Sequence, residues 1–291
     1  MHVLVLGRHG QVAQALAAFP LPDRYRLTTA GRAELDLADV AGIGDALKAI
    51  GPDAVINAAA YTAVDQAESE PAAAALLNAE TPGAAAQACA AMGVPFVHIS
   101  TDYVFDGCAA EPYLEDNPLS PVSVYGRTKA DGEAAVRQSG AASAILRTSW
   151  VYSSTGANFI RTMLRLAETR EEVSVVDDQI GRPTWARDVA AGALLAVAAL
   201  RDRLFHHEIF HITGQGDATW ADVAEHVFDR LREAGRAAPS LKRITTADYP
   251  TPAVRPANSR LGGDRAEAVL YFTPRPWREG VDLVLAELGV R

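Results

Sequence analysis

The sequence predicts an α/β protein: a Rossmann-like doubly wound parallel sheet with a smaller α/β substrate-binding lobe. Three observations lead there. Short β-branched and apolar runs alternate with alanine-rich helical stretches through the first half, the pattern of a parallel sheet covered on both faces. A glycine turn, Gly7-Arg8-His9-Gly10, sits where the first of these runs gives way to the first helix. After Trp150 the strand–helix rhythm loosens and the segments become more varied, as expected of a second lobe.

Taken in order, His2 to Leu6 reads as a buried strand and Gln11 to Ala18 as the helix after it. Strands follow at Tyr25 to Thr29, Ala54 to Asn57, Phe96 to Ser100 and Ala144 to Thr148, with helices at Ile43 to Ile50, Pro71 to Met92 and Lys129 to Ser139. Beyond Trp150 the expected helices are Asn158 to Thr169, Asp188 to Leu200, Trp220 to Ala234 and Trp277 to Leu288. Val173 to Val176 and Glu208 to Ile212 read as strands, His206-His207 as a solvated turn, and 239–256 as a proline-bearing exposed loop. The expected division assigns 1–153 and about 170–200 to a dinucleotide-binding domain, and about 154–169 with 201–291 to the smaller lobe.

The 291 residues carry a net charge of -9, which argues against a nucleic-acid partner. Two cysteines make no disulfide framework, and no Cys/His group has zinc spacing, so no metal is expected. No basic leader opens the chain and no apolar run reaches membrane-spanning length. The expectation is therefore a cytoplasmic protein with no membrane partner.

Gly7 and Gly10 suit a turn whose backbone approaches a pyrophosphate, with Arg8, Gln11 and Val12 beside it and Ala13 small enough for close helix–sheet packing. The spacing is G-x-x-G-x-x-A. After the second strand, where a carboxylate would hold a ribose 2′-hydroxyl, stands Arg32, with no acid before Glu34. An arginine there favours NADPH, with Arg8 as a possible helper and NADH as a possible substitute. Asp36 and Leu37 follow toward the adenine edge. Ala59, Ala60, Tyr61 and Thr62 leave the third strand, their small members letting a cofactor lie close to the backbone.

Tyr125 and Lys129 are four residues apart, which on a helix puts both side chains on one face. A free phenol titrates near ~10, and a neighbouring ammonium would lower that value toward useful acid–base chemistry. Ser100 and Thr101 leave the fourth strand at the end where doubly wound sheets bind ligands, as hydroxyls for a substrate carbonyl.

Several segments together resemble the dTDP-4-dehydrorhamnose reductases, a family of extended short-chain dehydrogenases. They are Gly7-Arg-His-Gly-Gln-Val12, Asn57-Ala-Ala-Ala-Tyr-Thr-Ala-Val-Asp-Gln-Ala-Glu68, Ser100-Thr-Asp-Tyr-Val-Phe-Asp-Gly107, Tyr125-Gly-Arg-Thr-Lys129, Arg147-Thr-Ser-Trp-Val-Tyr152, Asp178-Gln-Ile-Gly-Arg-Pro-Thr184 and Tyr249 to Leu261. The resemblance covers essentially the whole chain. It implies NADPH-dependent reduction of the 4-keto group of dTDP-4-dehydro-6-deoxy-L-mannose to dTDP-L-rhamnose. It also implies that Tyr125 donates the proton, Lys129 tunes it and Thr101 orients the carbonyl. Asp102, Trp150 and Asn158 would approach the sugar, and Arg255 and Asn258 the diphosphate. Some members dimerise through a metal held by a glutamate early in the first helix; Ala15 stands there, so the expectation is a monomer or a homodimer without that bridge.

Two other readings stay open. One is a reductase of another nucleotide-linked 4-keto sugar; the other is a non-catalytic partner like the methionine adenosyltransferase beta subunit, which resembles the same family. A sugar dehydratase would need an acid after Asp102, where Tyr103 stands.

Overall fold

The computed structural model describes residues 1–290. Six parallel strands form the main sheet: β1 (His2–Leu6), β2 (Arg26–Ala30), β3 (Ala54–Asn57), β4 (Phe96–Thr101), β5 (Ser143–Thr148) and a late strand, β10 (His207–His211). Their spatial order is β10-β5-β4-β3-β1-β2. The chain leaves β1 toward β2 on one side and returns to β3 on the other, so β1 and β3 flank the switch point at which such sheets open a crevice.

One face of the sheet packs on helices α1 (Gln11–Ala17), α8 (Ala186–Arg201) and α10 (Asp264–Leu270). The other packs on α2 (Ile43–Ile50), α5 (Thr81–Met92) and α6 (Val124–Gln138). Alanines at the buried positions of α8, among them Ala190, Ala193 and Ala196, let that helix lie close against Val5, Ile56 and Leu146.

The single helix expected over Pro71 to Met92 is interrupted. After the short α3 (Val64–Ala67) and α4 (Pro71–Ala75), a π-helical turn covers Leu76–Glu80 before α5 begins. The turn carries Asn78, fully buried, whose amide bonds both the N–H and the C=O of Tyr61 and also Thr128 on α6. Gly132 of α6 faces the Asn78 carbonyl so closely that any side chain would collide with it. A π-turn here trades helical regularity for a strut behind the Tyr61 loop.

The smaller lobe is built on α7 (Phe159–Ala167), α9 (Trp220–Glu233) and α11 (Trp277–Glu287), around a second core containing Met163, Val175, Phe228 and Trp277. Its strands are short: β6 (Val151–Tyr152) pairs with β9 (Thr184–Trp185), and β8 (Ile180–Gly181) with β11 (Ala218–Thr219) and β13 (Asn258–Ser259).

Two further segments differ from expectation. Ser240–Ile244, inside the expected loop, is β12 and pairs with β7 (Glu172–Val176). Its side chains are mostly exposed, so it lacks the apolar alternation that marks a half-buried strand. His207 lies in β10 rather than a solvated turn, bonded to the Ser143 hydroxyl at 3.0 Å. The lobe boundaries are also more interleaved than the expected spans: β7 packs with the small-lobe core, while β10 and α10, from within 201–291, join the large sheet. Among the described residues no helix is long and apolar enough to cross a membrane.

Candidate active site

A cleft of about 1550 Å³, counting its solvent-open mouth, lies over the carboxyl ends of β1, β3, β4 and β5. Its wall brings together Gly10, Gln11, Val12, Ala59, Ala60, Thr62, Ser100, Thr101, Asp102, Tyr125, Lys129 and Trp150, residues spread over 140 positions of sequence. Gly7 sits beneath it with φ +107°, a conformation that glycine adopts readily and other residues rarely do. A Cβ at Gly7 would lie 3.3 Å from the Ala59 nitrogen, so two backbone segments form a floor free of side chains. Such a cradle, lined by Ala58, Ala59 and Ala60, fits the flat, phosphate-bearing body of a dinucleotide.

Helix α6 starts at Val124, capped by the Ser123 hydroxyl on the Gly126 N–H, five residues before the expected helix. Tyr125 and Lys129 therefore do share a helix face. Their electrostatic relation differs from the expected one. The Lys129 Nζ donates to the Ile99 carbonyl at 2.7 Å and lies 3.2 Å from His98 Nε2. Burial lowers the Lys129 amine to about 8, against an upward pull from Glu133. The Tyr125 phenol is pushed up to about 12, chiefly by burial, with Thr101 pulling the other way and Asp102 adding to the rise. The expected lowering of the phenol by Lys129 is absent in this arrangement, where the amine turns to Ile99 and His98 and desolvation dominates the phenol.

Thr101 donates its hydroxyl proton to Asp102 Oδ1 at 3.0 Å. The other carboxylate oxygen, Oδ2, is buried without a partner, and burial raises the Asp102 carboxyl to about 6. Ser259 and Thr101 both favour the charged carboxylate, but burial outweighs them.

Ser100 lines the cleft beside Thr101, but its hydroxyl donates to Glu133 Oε1 at 2.6 Å, because successive strand residues turn their side chains to opposite faces. Glu133 and Arg147 form a fully buried ion pair at 2.7 Å that anchors this corner.

Gln11 and Asn158 join the lobes. Asn158 caps α7 through the Arg161 N–H, and its amide donates to Gln11 Oε1 at 3.0 Å, so it is spent on structure rather than aimed at a sugar. Asn258 is likewise committed, donating to the carbonyls of Ala109 and Glu111. Arg255 pairs with Asp65 at 2.7 Å and lines a second cleft with Phe159, Met163, Val175, Gln179 and Tyr249.

Near the second strand, Arg8 is paired with Glu34 at 2.9 Å and donates to the Thr29 carbonyl. Glu34 also accepts the Gly31 N–H, so the carboxylate that sequence spacing set aside folds back into the turn. Arg32 and Asp36 are exposed there, and the Leu37 carbonyl accepts from Thr81. Tyr61 turns its hydroxyl to Glu70.

Trp220 was not foreseen. It lines both clefts and stacks on Trp150, and Phe159 leans against it. An aromatic opening a helix reads as core in sequence, and nothing local marks it as a cleft wall. His98 was also missed, although a histidine inside a buried strand was a visible signal.

A doubly wound sheet, a side-chain-free cradle at its switch point and a Tyr–Lys pair on the cleft wall define an extended short-chain dehydrogenase/reductase. The chain belongs to the family described as RmlD substrate binding domain, whose sequence model matches residues 1–290. It is 44% identical over 285 residues to the dTDP-4-dehydrorhamnose reductase of Sinorhizobium fredii, covering 96% of this chain and 95% of that one. The solved dTDP-4-dehydrorhamnose reductase of Clostridium acetobutylicum superposes with a TM-score of 0.93 at 32% identity, covering 99% of this chain and 100% of that one. That of Bacillus anthracis, in complex with NADP, gives 0.92 at 30% identity over 98% and 99% of the two chains.

Proposed function

We propose that this protein uses NADPH to reduce the 4-keto group of dTDP-4-dehydro-6-deoxy-L-mannose, giving dTDP-L-rhamnose. The observation that carries this reading is the meeting of Tyr125, Thr101 and Lys129 on one wall of a cleft whose floor is the Gly7–Ala59 cradle. The resemblance to reductases along the whole chain supports the substrate class.

In this reading the nicotinamide, when bound, supplies the hydride. Gly10, Gln11, Val12 and Ala59 hold the dinucleotide backbone, and Arg32 meets the 2′-phosphate. Tyr125 delivers its phenolic proton to the sugar O4. Its high proton affinity keeps the phenol protonated near neutral pH, ready to act as an acid. Charged Lys129 stabilises the phenolate left behind and holds the nicotinamide ribose. Thr101 orients the carbonyl, and Asp102 stands beside it on the cleft wall toward the sugar. Trp150 and Trp220 wall the sugar, and the cleft beyond Trp220, edged by Arg255, takes the nucleoside diphosphate.

The test is an assay with dTDP-4-dehydro-6-deoxy-L-mannose generated in situ, following NADPH oxidation and identifying the product by NMR. The expected product is dTDP-L-rhamnose. No NADPH oxidation with this sugar, but turnover of another nucleotide-linked 4-keto sugar, would overturn the substrate assignment and leave the chemistry.

A further inference from the structure

Behind Lys129 lies a buried chain of polar groups that the reaction as described does not use. Asn57, at the end of β3, and His98, inside β4, are both fully inaccessible to solvent. The Ala59 N–H donates to Asn57 Oδ1 at 3.1 Å. The opposite side of that amide, Nδ2, lies 3.1 Å from His98 Nδ1. His98 Nε2 lies 3.2 Å from Lys129 Nζ, which also donates to the Ile99 carbonyl.

The directions of these bonds conflict if Lys129 is charged. The backbone N–H of Ala59 orients the Asn57 amide, so Nδ2 faces the imidazole as a donor. His98 Nδ1 must then be the acceptor. A neutral imidazole has one acceptor and one donor, which leaves the proton on Nε2, pointing at Lys129. An ammonium has three donors and no acceptor. A neutral amine has a lone pair to receive Nε2–H and still donates to Ile99. Charging Lys129 requires His98 to move its proton to Nδ1, against the Asn57 amide.

We infer that Asn57 and His98 are positioning residues for Lys129, a directed relay from the cradle backbone that opposes charging of the lysine and so sets the pH range of turnover. The inference rests on the reading of Lys129 as the partner of Tyr125.

The other groups around Lys129 are accounted for. Glu133, one turn along α6, favours the ammonium, but its carboxylate is shared with Arg147 of β5 and Ser100 of β4. Tyr125, one turn back, is held as a neutral phenol. Asp102 lies beyond Tyr125 on the cleft wall. The imidazole itself is kept uncharged by burial and by Lys129. The ring therefore donates as one of its two neutral tautomers and not as an imidazolium.

The relay is read directly by NMR of the full-length protein labelled with ¹⁵N-histidine, in which long-range couplings distinguish the two tautomers. Above the Lys129 midpoint His98 is expected as Nε2–H. On lowering the pH its signals should move toward Nδ1–H with the lysine's midpoint. In Asn57→Asp, where a carboxylate accepts from Nδ1, the Nδ1–H form should persist at every pH. His98 as Nδ1–H throughout in the unsubstituted protein would overturn the inference.

The kinetic counterpart is the alkaline limb of kcat. Asn57→Asp and His98→Gln each offer Lys129 an acceptor, so each should move that limb up by roughly one pH unit. Limbs unmoved in folded variants would also overturn it, whereas a purely structural role would lower kcat without moving the limb. Lys129→Ala separates the two failures: undiminished turnover there sinks the role of Lys129, and leaves the His98 tautomer measurable on its own.

Discussion

Trp150 and Trp220 lie face to face, ring centroids 3.7 Å apart and planes 9° from parallel. Trp150 comes from the end of the dinucleotide-binding sheet and Trp220 opens α9 of the smaller lobe. Trp150 has a φ of 49°, a region bulky side chains enter only when surroundings over-determine them. Gly181 supplies that surrounding, since a Cβ there would strike the Trp150 ring. The stack forms a shared wall between the two clefts.

Trp220→Ala should therefore loosen the sugar more than the cofactor. An aromatic wall of this kind contributes on the order of 1–3 kcal/mol, so KM for the nucleotide sugar should rise about tenfold or more. NADPH affinity, measured by fluorescence titration, should change little. Equal losses for both ligands would place the stack in general lobe stability instead.

Tyr125→Phe should remove the proton donor without disturbing the cradle. Turnover should drop by about 10²–10⁴ while NADPH binding stays near that of the unsubstituted protein. Turnover close to the starting value would show that another group supplies the proton.

The pH dependence follows from two groups. In the proposed reaction, reduction needs a protonated Tyr125 and a charged Lys129; burial places the first at about 12 and the second at about 8. Lysine is charged below its midpoint, so kcat should fall as pH rises through about 8. Initial rates at saturating substrate check this, and a profile limited only by the phenol would contradict it.

In the proposed reading, cofactor choice hangs on two arginines, one of them occupied. Glu34 draws Arg8 to 2.9 Å and its own carboxyl is held below the usual range by that guanidinium. Arg32→Ala should raise KM for NADPH far more than for NADH. Glu34→Gln should do the reverse, freeing Arg8 for the 2′-phosphate and lowering KM for NADPH. Equal shifts with both cofactors in Arg32→Ala would mean that this arginine does not read the phosphate.

Asp102 carries a cost in stability. Its carboxyl ionises near 3.8 when unfolded but near 6 in the fold, so the native state holds the proton more tightly. Stability is then lost as pH rises between those two values, and the full penalty applies above the upper one. Asp102→Asn removes the buried charge and should stabilise the protein by about 1–3 kcal/mol at neutral pH, with little gain below pH ~4. Urea unfolding at both pH values measures it; an equal gain at both would assign the effect to packing.

Much of this was legible in the sequence because the relevant signals are local. Apolar runs of strand length, alanine-rich helices and the Gly7–Gly10 turn specify a doubly wound sheet through periodicity and backbone freedom alone. The i, i+4 spacing of Tyr125 and Lys129 puts them on one helix face wherever that helix lies. Motifs spread along the whole chain carried the family resemblance.

Only the tertiary structure decided the rest, because it depends on partners distant in sequence. Asn158 and Asn258 match family positions yet spend their amides on Gln11 and on the 109–111 loop. Ser100 is adjacent to Thr101 but faces Glu133, since strand residues alternate. Glu34 folds back onto Arg8, and Trp220 crosses from the other lobe to meet Trp150. The sheet and the shared helix face of Tyr125 and Lys129 were thus determined by the sequence through local pattern. The charge state of Lys129, the pairing of Arg8 and the shape of the sugar wall depend on desolvation and long-range contact, which arise only once the chain is folded.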